Sequence, residues 1–422
     1  MSGRTPPQNR LLRLLLVVHA YPPYSHAGTE NYVRAFAGQM AAQDFDVTVF
    51  YPVLDATAAA PGLRVKAFEN YTATELVTNR ADAYDHLEDP GIELIFQAVL
   101  KNFKPDVVHF HHTYTCLPFS LILRAKQSGC FTCLTLHDFW YICLRTYMLP
   151  DGETLCAGPE PPEKCALCLL PFFTPEEDQT MEDLKNILVE YCVKRLDLAR
   201  LILADIDLVT APSRFVLAVY SRHVSLRRNL VVPLGIEAPA VEKRPARSGP
   251  LRFGFLGNMS LLKNVHGLLS AFAQVRGKAE LHIYGKIRAS AEEILKPMLR
   301  VDPRVVWHGP YSAGMLGSIL TDMDVGVVPS FFENYPLVLR EFLSAGIPVV
   351  AARVGGIPEI VRNAKNGILF DPHKTGKLAS ILQSLVDSPQ IVNKLKAGIE
   401  PPKTMLQDAS DWSGIYLDGV AN

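Results

Sequence analysis

Residues 329–361 read PSFFENYPLVLREFLSAGIPVVAARVGGIPEIV, and this stretch decides the fold of the C-terminal half. Pro336 suits the first turn of a helix, and apolar residues follow it at helical spacing. Gly346 and Pro348 end that helix before the apolar run 349–352, which predicts a strand. The stretch therefore predicts a strand, a loop, a helix and a second strand, the repeating unit of a parallel α/β sheet.

Two glutamates of this stretch fall near the N-terminus of the predicted helix. Glu333 lies in the preceding loop, while Glu341 lies in the second turn and leans back toward the N-terminus, as helical side chains do. The first amides of a helix have no partner inside it, and the helix dipole favours an anion at that end. We predict a crevice for phosphate or sugar hydroxyls, with a capped helix whose two acids face solvent as the alternative.

Two glutamates separated by seven residues, followed by GIPVV and GGIPE, resemble a motif of the retaining nucleotide-sugar glycosyltransferases of family four. The resemblance implies that Glu341 binds the ribose hydroxyls of the donor nucleotide and that Glu333 contacts the donor sugar near the reacting carbon. It further implies that the backbone amides around Tyr335, Leu337 and Val338 hold sugar hydroxyls and the distal phosphate of the donor.

The length of 422 residues exceeds one ordinary core and predicts two domains of about 200 residues each. We predict the α/β class, with a doubly wound domain at residues 1–236, a polar linker at 237–249 and a second doubly wound domain at 250–403. The resemblance implies the GT-B architecture, two Rossmann-like domains facing each other across an active-site cleft. It also implies that the tail 404–422 crosses back to the first domain. Within that first domain, residues 56–90 are predicted to be irregular.

Composition narrows the class of protein. Hydrophobic residues make up 48% of the chain and charged residues 20%, which is typical of a globular protein. A formal net charge of −1 gives no reason to expect nucleic acid as a partner. The apolar run 11–18 is short and interrupted by Arg13, so we predict a buried strand rather than a signal peptide or a membrane span. We expect a cytoplasmic protein and leave open a peripheral contact with the inner face of the plasma membrane.

Candidate residues of the first predicted domain follow its strands. Gly28 lies in AGTE, where the resembled family usually has two glycines that face the donor phosphates and the acceptor. His109, His111 and His112 end another strand, and without a nearby third ligand we favour hydrogen-bonded histidines over metal ligands. His137 ends the next strand. The resemblance implies that His137 faces the donor sugar, and a histidine packed beneath a loop is the alternative.

Four cysteines follow in a segment rich in glycine and proline: Cys143, Cys156, Cys165 and Cys168. The last two have C-x2-C spacing, and four thiolates on one loop are able to hold a tetrahedral structural zinc ion. Free structural thiols are the alternative, because a cytoplasmic enzyme seldom keeps disulfides.

The first loop of the second predicted domain contains Gly257, Asn258 and Lys263, and it resembles the family's diphosphate-binding segment. An arginine is common in the family where this chain has Asn258. The resemblance implies that the Lys263 ammonium neutralises charge on the departing nucleoside diphosphate, and a surface lysine at a helix start is the alternative. The later glycine pair 355–356 predicts a second loop whose backbone approaches the diphosphate closely.

These features together predict a retaining glycosyltransferase that moves a hexosyl unit from a nucleotide diphosphate sugar to a hydroxyl of a glycan or lipid-linked acceptor. Glu333, His137 and Lys263 are the predicted catalytic residues. We find no paired-aspartate motif in a suitable setting, so we expect catalysis to need no metal or other cofactor. Two alternatives stay open: a sugar-nucleotide epimerase or hydrolase on the same scaffold, and a catalytically silent nucleotide-binding subunit.

Overall fold

The computed structural model describes residues 10–79, 87–114, 116–241 and 249–421. The chain forms two compact units. The first comprises Met1–Pro150, Leu155–Gly235 and Lys403–Asn422, and the second comprises Asp151–Thr154 and Ile236–Pro402. Residues 242–248 of the predicted linker lie outside the described residues.

One short piece of chain departs from the predicted division. Asp151–Thr154 group with the second unit, although they lie within the predicted first domain, residues 1–236. The Asp151 carboxylate accepts the amides of Glu153 and Thr154 at 2.9 and 2.7 Å. This turn is therefore held by its own local hydrogen bonds, and no sequence pattern ties it to the strands on either side.

Parallel strands build both units. The first unit contains β1 (Leu12–Val17), β2 (Phe45–Leu54), β3 (Gly62–Ala67), β4 (Thr72–Thr78), β5 (Val107–Phe110), β6 (Phe131–Thr135), β7 (Leu208–Ala211) and β8 (Asn229–Val231). The second contains β9 (Leu251–Leu256), β10 (Ala279–Tyr284), β11 (Val305–Trp307), β12 (Val325–Val328), β13 (Val349–Ala352) and β14 (Gly367–Phe370). The spatial orders are β3-β4-β2-β1-β5-β6-β7-β8 and β11-β10-β9-β12-β13-β14. The predicted class, two doubly wound α/β sheets, is confirmed.

Helices connect and cover these strands. They are α1 (Gly28–Ala41), α2 (Pro90–Phe103), α3 (Ser120–Gln127), α4 (Pro162–Leu169), α5 (Met181–Asp205), α6 (Arg214–Ser221), α7 (Val265–Phe272), α8 (Glu292–Met298), α9 (Leu316–Thr321), α10 (Leu337–Ser344), α11 (Ile357–Ile360), α12 (Lys377–Asp387), α13 (Gln390–Ala397) and α14 (Met405–Ala421). In the described ranges, no helix combines the length and the apolar character that a membrane crossing requires.

Local chemistry sets where two of these helices begin. Thr180 and Asp183 form a capping box at the start of α5, in which each side chain accepts the backbone amide of the other residue. Helix α7 begins at Val265, because Asn264 takes the left-handed conformation with φ of 51°. The residues before Asn264 therefore form a loop rather than the first helical turn.

The described part of the segment 56–90 contains two strands, β3 and β4, so the prediction that this segment is irregular was wrong. β3 pairs antiparallel with β4, which pairs parallel with β2. Arg64 of β3 donates to Glu75 of β4 at 2.5 Å, and Tyr51 of β2 donates to the same carboxylate at 2.7 Å. Most of β3 is exposed on both faces, so its sequence lacks the apolar alternation that identifies a strand. Residues 80–86 lie outside the described residues.

Two apolar clusters cover the two faces of the second sheet. Along β13, Val350 and Ala352 belong to one cluster, and Val349 and Ala351 belong to the other, as the two-residue repeat of a strand requires. Helices α7 and α12 contribute to the first cluster, and α9 and α10 contribute to the second. Burial on both faces explains why these strands read as continuous apolar runs.

The C-terminal helix α14 is fixed to the first unit by one buried carboxylate. Asp408 is fully buried and accepts three hydrogen bonds: from Tyr32 Oη at 2.9 Å, from the Gly235 amide at 2.7 Å and from Lys403 Nζ at 2.6 Å. A buried charge is stable in a protein only when it is paired and hydrogen-bonded. These contacts join α1, the end of the first unit's main segment and the returning chain.

We predict that Asp408→Ala lowers the free energy of unfolding by about 2–4 kcal/mol, because it leaves a buried amide and a buried hydroxyl without their acceptor. Asp411→Ala is the matched control. Asp411 also pairs with Lys403, at 2.8 Å, but its side chain is 61% exposed. Its loss should change the free energy by less than about 1 kcal/mol. Chemical denaturation of both variants checks this, and equal effects would contradict the anchoring role.

Candidate functional site

The order of the second sheet places two loops side by side. β9 lies between β10 and β12, so the chain leaves the centre of the sheet first to one side and later to the other. Ligands of open α/β sheets bind at such a switch point, outside the carboxyl ends of the strands. The loop after β9 contains Lys263, and the loop after β12 contains Glu333. Both predicted catalytic residues of this unit therefore lie where the topology favours a ligand.

Lys263 and Glu333 form an ion pair at this switch point. Lys263 Nζ lies 2.6 Å from Glu333 Oε1, and Ser330 Oγ donates to the same oxygen at 2.8 Å. Glu333 is 8% exposed, whereas a third of the Lys263 side chain is exposed. The ammonium therefore has one partner on the protein and one side open to a ligand. The lysine and the glutamate were predicted from the sequence, whereas their pairing and the contact of Ser330 were not.

Further hydrogen bonds hold the two loops together. Asn264 Nδ2 donates to the Pro329 carbonyl at 3.1 Å, and the Phe331 amide donates to the Leu262 carbonyl at 2.9 Å. Asn264 is buried, so the side chain that ends the first loop also closes the second. The separation of Lys263 from Glu333 is therefore set by the backbone on both sides.

Gly355 supports the Glu333 loop from a third direction. Its φ is +51°, and a Cβ at this position would lie 1.8 Å from the Glu333 carbonyl oxygen. The amide of Gly356 donates to the same carbonyl at 3.0 Å. The sequence analysis expects this glycine pair to approach a diphosphate, whereas the close approach in the structure is to the backbone of Glu333. Its observed contact is with the loop that carries this carboxylate.

The N-terminal end of α10 carries the remaining predicted donor-binding residues of this unit. Leu337 and Val338 occupy the first turn, and their amides lie among those that a helix leaves without intrahelical partners. Tyr335 precedes the helix, and the Arg340 guanidinium lies 5.5 Å from its ring centre. Glu341 lies in the second turn, as predicted from the sequence.

Glu341 has an unusual acidity. Burial raises the pKa of this carboxyl from 4.5 to about 7, although Arg340 opposes the shift. Burial also raises the pKa of Tyr311, and the nearby Glu341 carboxylate adds to that rise. A carboxyl group that changes charge near neutral pH is a common feature of functional sites.

Gly257 and Asn258 lie at the start of the loop that ends with Lys263. Gly257 has φ of +133°, a conformation that favours glycine, and the space where a side chain would point is open. Its carbonyl oxygen would lie 1.9 Å from a Cβ on Gly285, so the neighbouring strand end also requires a glycine. Asn258 is exposed.

Histidines gather at the switch point of the first sheet. β1, β5 and β6 are adjacent parallel strands, and the chain runs from β1 to β2 on one side and later to β5 on the other. His19 follows β1, His111 and His112 follow β5, and His137 follows β6. We call these four residues the histidine cluster. Sequence analysis missed His19, although its position two residues beyond a buried strand is a usable signal.

Hydrogen bonds fix the ring of His112. The Tyr114 amide donates to His112 Nδ1 at 3.0 Å, so the proton of the neutral ring lies on Nε2, which donates to Asp138 Oδ2 at 2.9 Å. The Trp140 amide donates to the other oxygen of Asp138 at 2.8 Å. Burial raises the pKa of Asp138, but His112 and the Trp140 amide outweigh it, and the net shift is downward. Asp138 is therefore ionised at neutral pH.

His111 and His137 are neutral partners. His111 Nδ1 lies 3.2 Å from His137 Nε2, so one ring donates to the other. Burial and the neighbouring His112 lower the pKa of His137 to about 3, and burial lowers the pKa of His111. In the described part of the chain, no hydrogen-bond partner reaches His111 Nε2. Neutral imidazoles of this kind both donate to and accept from hydroxyl groups.

His109 and Gly28 are two other predicted residues of the first unit. His109 is fully buried, and its ring nitrogens lie 2.6 Å from Tyr416 Oη and 2.7 Å from Thr135 Oγ1. This is the hydrogen-bonded arrangement that we favour from the sequence. Gly28 is the exposed first residue of α1. Glu30, from the same AGTE stretch, is buried and accepts from Ser25 Oγ at 2.8 Å.

The four predicted zinc ligands line a common cavity with a fifth cysteine, Cys192: these are Cys143, Cys156, Cys165 and Cys168. Among the described residues, no three His, Cys, Asp or Glu side chains lie close enough to hold one metal ion. The structural zinc therefore stays a prediction from the sequence, with free structural thiols as its alternative.

Two protein-family models match the chain, one over residues of the first sheet and one over residues of the second sheet. Residues 26–238 match the model of Glycosyltransferase Family 4, and residues 250–388 match the model of Glycosyl transferases group 1. The first match covers half of the chain. It includes the histidine cluster apart from His19, and the second match includes the Lys263–Glu333 pair.

Curated relatives match a shorter part of the chain. A D-inositol 3-phosphate glycosyltransferase of Arthrobacter sp. (strain FB24) is 31% identical over 150 residues, which is 34% of this chain and 36% of the relative. The matched part spans about a third of the length of the first such relatives.

Solved structures match almost the whole chain in fold. A sucrose-phosphate synthase from Thermosynechococcus elongatus superposes with a TM-score of 0.66 at 18% identity, covering 96% of this chain and 97% of that one. HepE of Anabaena, in complex with UDP and glucose, gives a TM-score of 0.64 at 14% identity, covering 96% and 99%. These likenesses confirm the predicted two-domain, Rossmann-like GT-B fold.

We predict that the raised pKa of Glu341 makes stability depend on pH. Between 4.5 and about 7 the folded protein keeps a proton that the unfolded chain has lost, so stability falls as pH rises through this window. A glutamine at this position does not ionise, so Glu341→Gln does not lose stability in this pH window. Relative to wild type, the variant should therefore be more stable at about pH 8 than at about pH 5, by at most about 3 kcal/mol.

Denaturation curves at the two pH values measure this difference. Glu293→Gln, at an exposed position of α8, is the matched control and should show the same small effect at both pH values. If Glu341→Gln also differs from wild type by the same amount at both pH values, Glu341 is not a buried carboxyl with a raised pKa.

Proposed function

The chain belongs to glycosyltransferase family 4, and from this premise we propose that the protein transfers a hexosyl unit from a nucleoside diphosphate sugar to a hydroxyl group of an acceptor. One observation carries the proposal: the Lys263–Glu333 ion pair lies at the switch point of the second sheet. The loop that carries Glu333 leads directly into α10. A half-open ammonium and a helix N-terminus are both suited to a diphosphate.

Lys263 would exchange its carboxylate partner for the diphosphate. Glu333 is nearly buried, whereas Lys263 is open on one side, so an incoming phosphate reaches the ammonium without displacing the loop. As the bond between the sugar and the phosphate breaks, negative charge grows on the departing diphosphate. A fixed ammonium and the amides of Leu337 and Val338 stabilise that charge more than they stabilise the bound donor, and this difference lowers the barrier.

The two glutamates take different parts in this proposal. The Glu341 carboxyl accepts hydrogen bonds from the ribose hydroxyls, which the ionised form does best, so donor binding should weaken below about pH 7. Glu333, released by Lys263, contacts the donor sugar. We further propose retention: the acceptor oxygen bonds to the sugar carbon on the face that the diphosphate leaves, and its proton passes to the leaving phosphate oxygen. No side chain serves as nucleophile in this step.

In the first unit, we propose that the histidine cluster binds sugar hydroxyls. His137 and His111 are neutral at physiological pH, so they donate and accept hydrogen bonds without adding charge. Asp138 orders the cluster through His112. His137 remains the proposed sugar-contacting residue of this unit.

The names of related proteins guide the choice of ligands. The Anabaena protein binds UDP and glucose, and the Arthrobacter relative is named for a phosphorylated inositol. We therefore propose a uridine diphosphate hexose as donor and a polyhydroxylated glycan or glycolipid as acceptor. The proposal assigns no metal to the reaction, and it keeps the cytoplasmic location as a prediction.

Binding of nucleoside diphosphates tests the donor site. We expect Lys263→Ala to weaken binding of the preferred nucleoside diphosphate by at least about tenfold and to leave the binding of the free nucleoside unchanged, because a charge-assisted hydrogen bond contributes about 1.5–3 kcal/mol. Lys278→Ala is the matched control, since Lys278 is exposed just before β10, at the amino-terminal end of the strands and away from the loops that follow them. Isothermal titration calorimetry with UDP, GDP and their nucleosides measures both effects.

A second variant separates binding from chemistry. Glu333→Gln keeps Lys263 and removes its negative partner, so diphosphate binding should not weaken, whereas sugar transfer should fall. Release of free diphosphate only when acceptor is present would support transfer. An isomerised donor, or binding without turnover, would instead support an epimerase or a silent subunit.

A further inference from the structure

A cavity of about 120 Å³ lies in the first unit, between α5 and the segment that joins β6 to this helix. Its apolar walls include Leu144, Met148, Leu169 and Leu196, and its free thiols include Cys192. The cavity is partly open to solvent. An apolar cavity of about 150 Å³ is large enough for a six-carbon ring. This cavity therefore suits an organic group of about six carbon atoms, and the proposed function does not use it.

The charged side chains around this cavity all have the same sign. Arg145, Lys164 and Arg195 line it, and no acidic side chain of the described residues does. Arg145 donates to the Pro150 carbonyl at 2.9 Å, and Lys164 donates to the Gly158 carbonyl at 2.7 Å. A carbonyl satisfies a donor but brings no negative charge. The positive charge of the lining is therefore not balanced by these contacts.

Three of the lining thiols do not balance it either. Burial raises the pKa of Cys165 to about 12 and the pKa of Cys192 to about 11, and burial also raises the pKa of Cys143. Cys165 Sγ donates to the Pro159 carbonyl at 3.3 Å, as a protonated thiol does. These three thiols are therefore neutral at physiological pH.

Arg195 is the buried cation of this lining. It is 4% exposed, and its guanidinium lies 4.1 Å from the ring centre of Trp140 and 4.6 Å from that of Phe119. The faces of these rings attract a cation but carry no net charge. Arg195 donates to the Trp140 carbonyl, and no acceptor in the described part of the chain reaches its Nε atom. A buried cation without a counter-charge is strongly unfavourable, so an anion beside Arg195 would stabilise the fold.

The donors at this place suit a carboxylate better than a phosphate group. A phosphate monoester has three acceptor oxygens and a charge of about −1.5 to −2 at pH 7. The Nε atom of Arg195 offers one N–H group that has no acceptor, and apolar side chains form much of the remaining wall. A carboxylate carries a single charge and forms a short, charge-assisted hydrogen bond with a guanidinium. The lining thus matches one carboxylate attached to an apolar body.

We propose that this cavity is a binding site for a small organic anion, a monocarboxylate whose apolar body has about six carbon atoms. The carboxylate accepts a hydrogen bond from Arg195 Nε. The apolar body packs against Leu144, Met148 and Leu196, and its burial supplies the remaining binding energy. Because the cavity is partly open, the ligand enters without unfolding of the surrounding segment.

Trp140 connects this site to the histidine cluster. Its carbonyl accepts a hydrogen bond from Arg195, and its amide donates to Asp138 at 2.8 Å. Asp138 in turn bonds to His112 at 2.9 Å. One residue therefore contacts both the buried cation and the carboxylate that orders the histidine cluster. Binding of the anion does not depend on the proposed glycosyl transfer, and it is tested without an activity assay.

Calorimetric titration of the full wild-type chain with hexanoate and with hexanamide tests the proposal. The two compounds have the same apolar body, but only hexanoate is charged. We expect hexanoate to bind with a millimolar or smaller dissociation constant, and hexanamide to bind at least about tenfold more weakly. Equal binding of the two compounds, or no binding of hexanoate, would overturn the proposal. This result does not depend on the folding of any variant.

Matched arginine variants test the position of the anion. Arg195→Met removes the charge and keeps a long apolar side chain, so this variant should lose the preference for hexanoate over hexanamide. Arg200→Met is the control, because Arg200 lies on the same helix, is 39% exposed and pairs with Glu160 at 3.0 Å. It should keep the preference. Circular dichroism checks that both variants have the wild-type secondary structure. A preference retained in Arg195→Met or lost in Arg200→Met would overturn the assignment of Arg195.

A third variant tests the cavity without changing its charge. Cys192→Leu fills part of the space, so hexanoate should bind at least severalfold more weakly than to wild type. Cys130→Leu, at a buried cysteine outside this cavity, is the control and should bind hexanoate as wild type does. Unchanged binding to Cys192→Leu would contradict the placement of the ligand.

Discussion

The pairing of β9 with β12 is the constraint on which the candidate donor site depends. At this pair two glycines face each other, Gly254 and Gly326. A Cβ on Gly254 would lie 2.0 Å from Met323 Sδ, and one on Gly326 would lie 2.5 Å from the Phe342 ring. Because Phe342 belongs to α10, the missing side chain lets this helix pack close to the sheet. The loop after β12 therefore has to run beside the loop after β9, which brings Glu333 to Lys263.

The first sheet has a switch point of the same kind, but different side chains lie there. Its switch point gathers histidines around Asp138 instead of an ion pair, and in the proposed function this unit binds uncharged hydroxyl groups and the second unit binds phosphate. Helix α14 stabilises this unit through hydrogen bonds. Tyr416 bonds to His109, and Asp408 accepts hydrogen bonds from Tyr32 and Gly235. Two residues of the C-terminal helix thus hold α1, Gly235 and β5 of the first unit.

Sequence alone predicted the elements that have strong local patterns. The apolar runs of the buried strands and the loop–helix stretch around Glu333 and Glu341 were recognisable, because burial on both faces or on one face leaves a repeat. The hairpin of β3 and β4 left none, since β3 is an exposed edge held by Arg64 and Glu75. Contacts between residues that are far apart in the sequence could not be predicted either. The Lys263–Glu333 bond, the approach of Gly355 to Glu333 and the place of His19 beside His112 depend on strand order, which no local pattern encodes.

A crystal structure of the full chain with a bound nucleoside diphosphate tests the central claim most directly, namely that the switch point of the second sheet is the donor site. The account predicts a phosphate oxygen within hydrogen-bond distance of Lys263 Nζ and of the amides of Leu337 and Val338, and ribose hydroxyls on the Glu341 carboxylate. A diphosphate bound elsewhere, with Lys263 still held by Glu333, would contradict it.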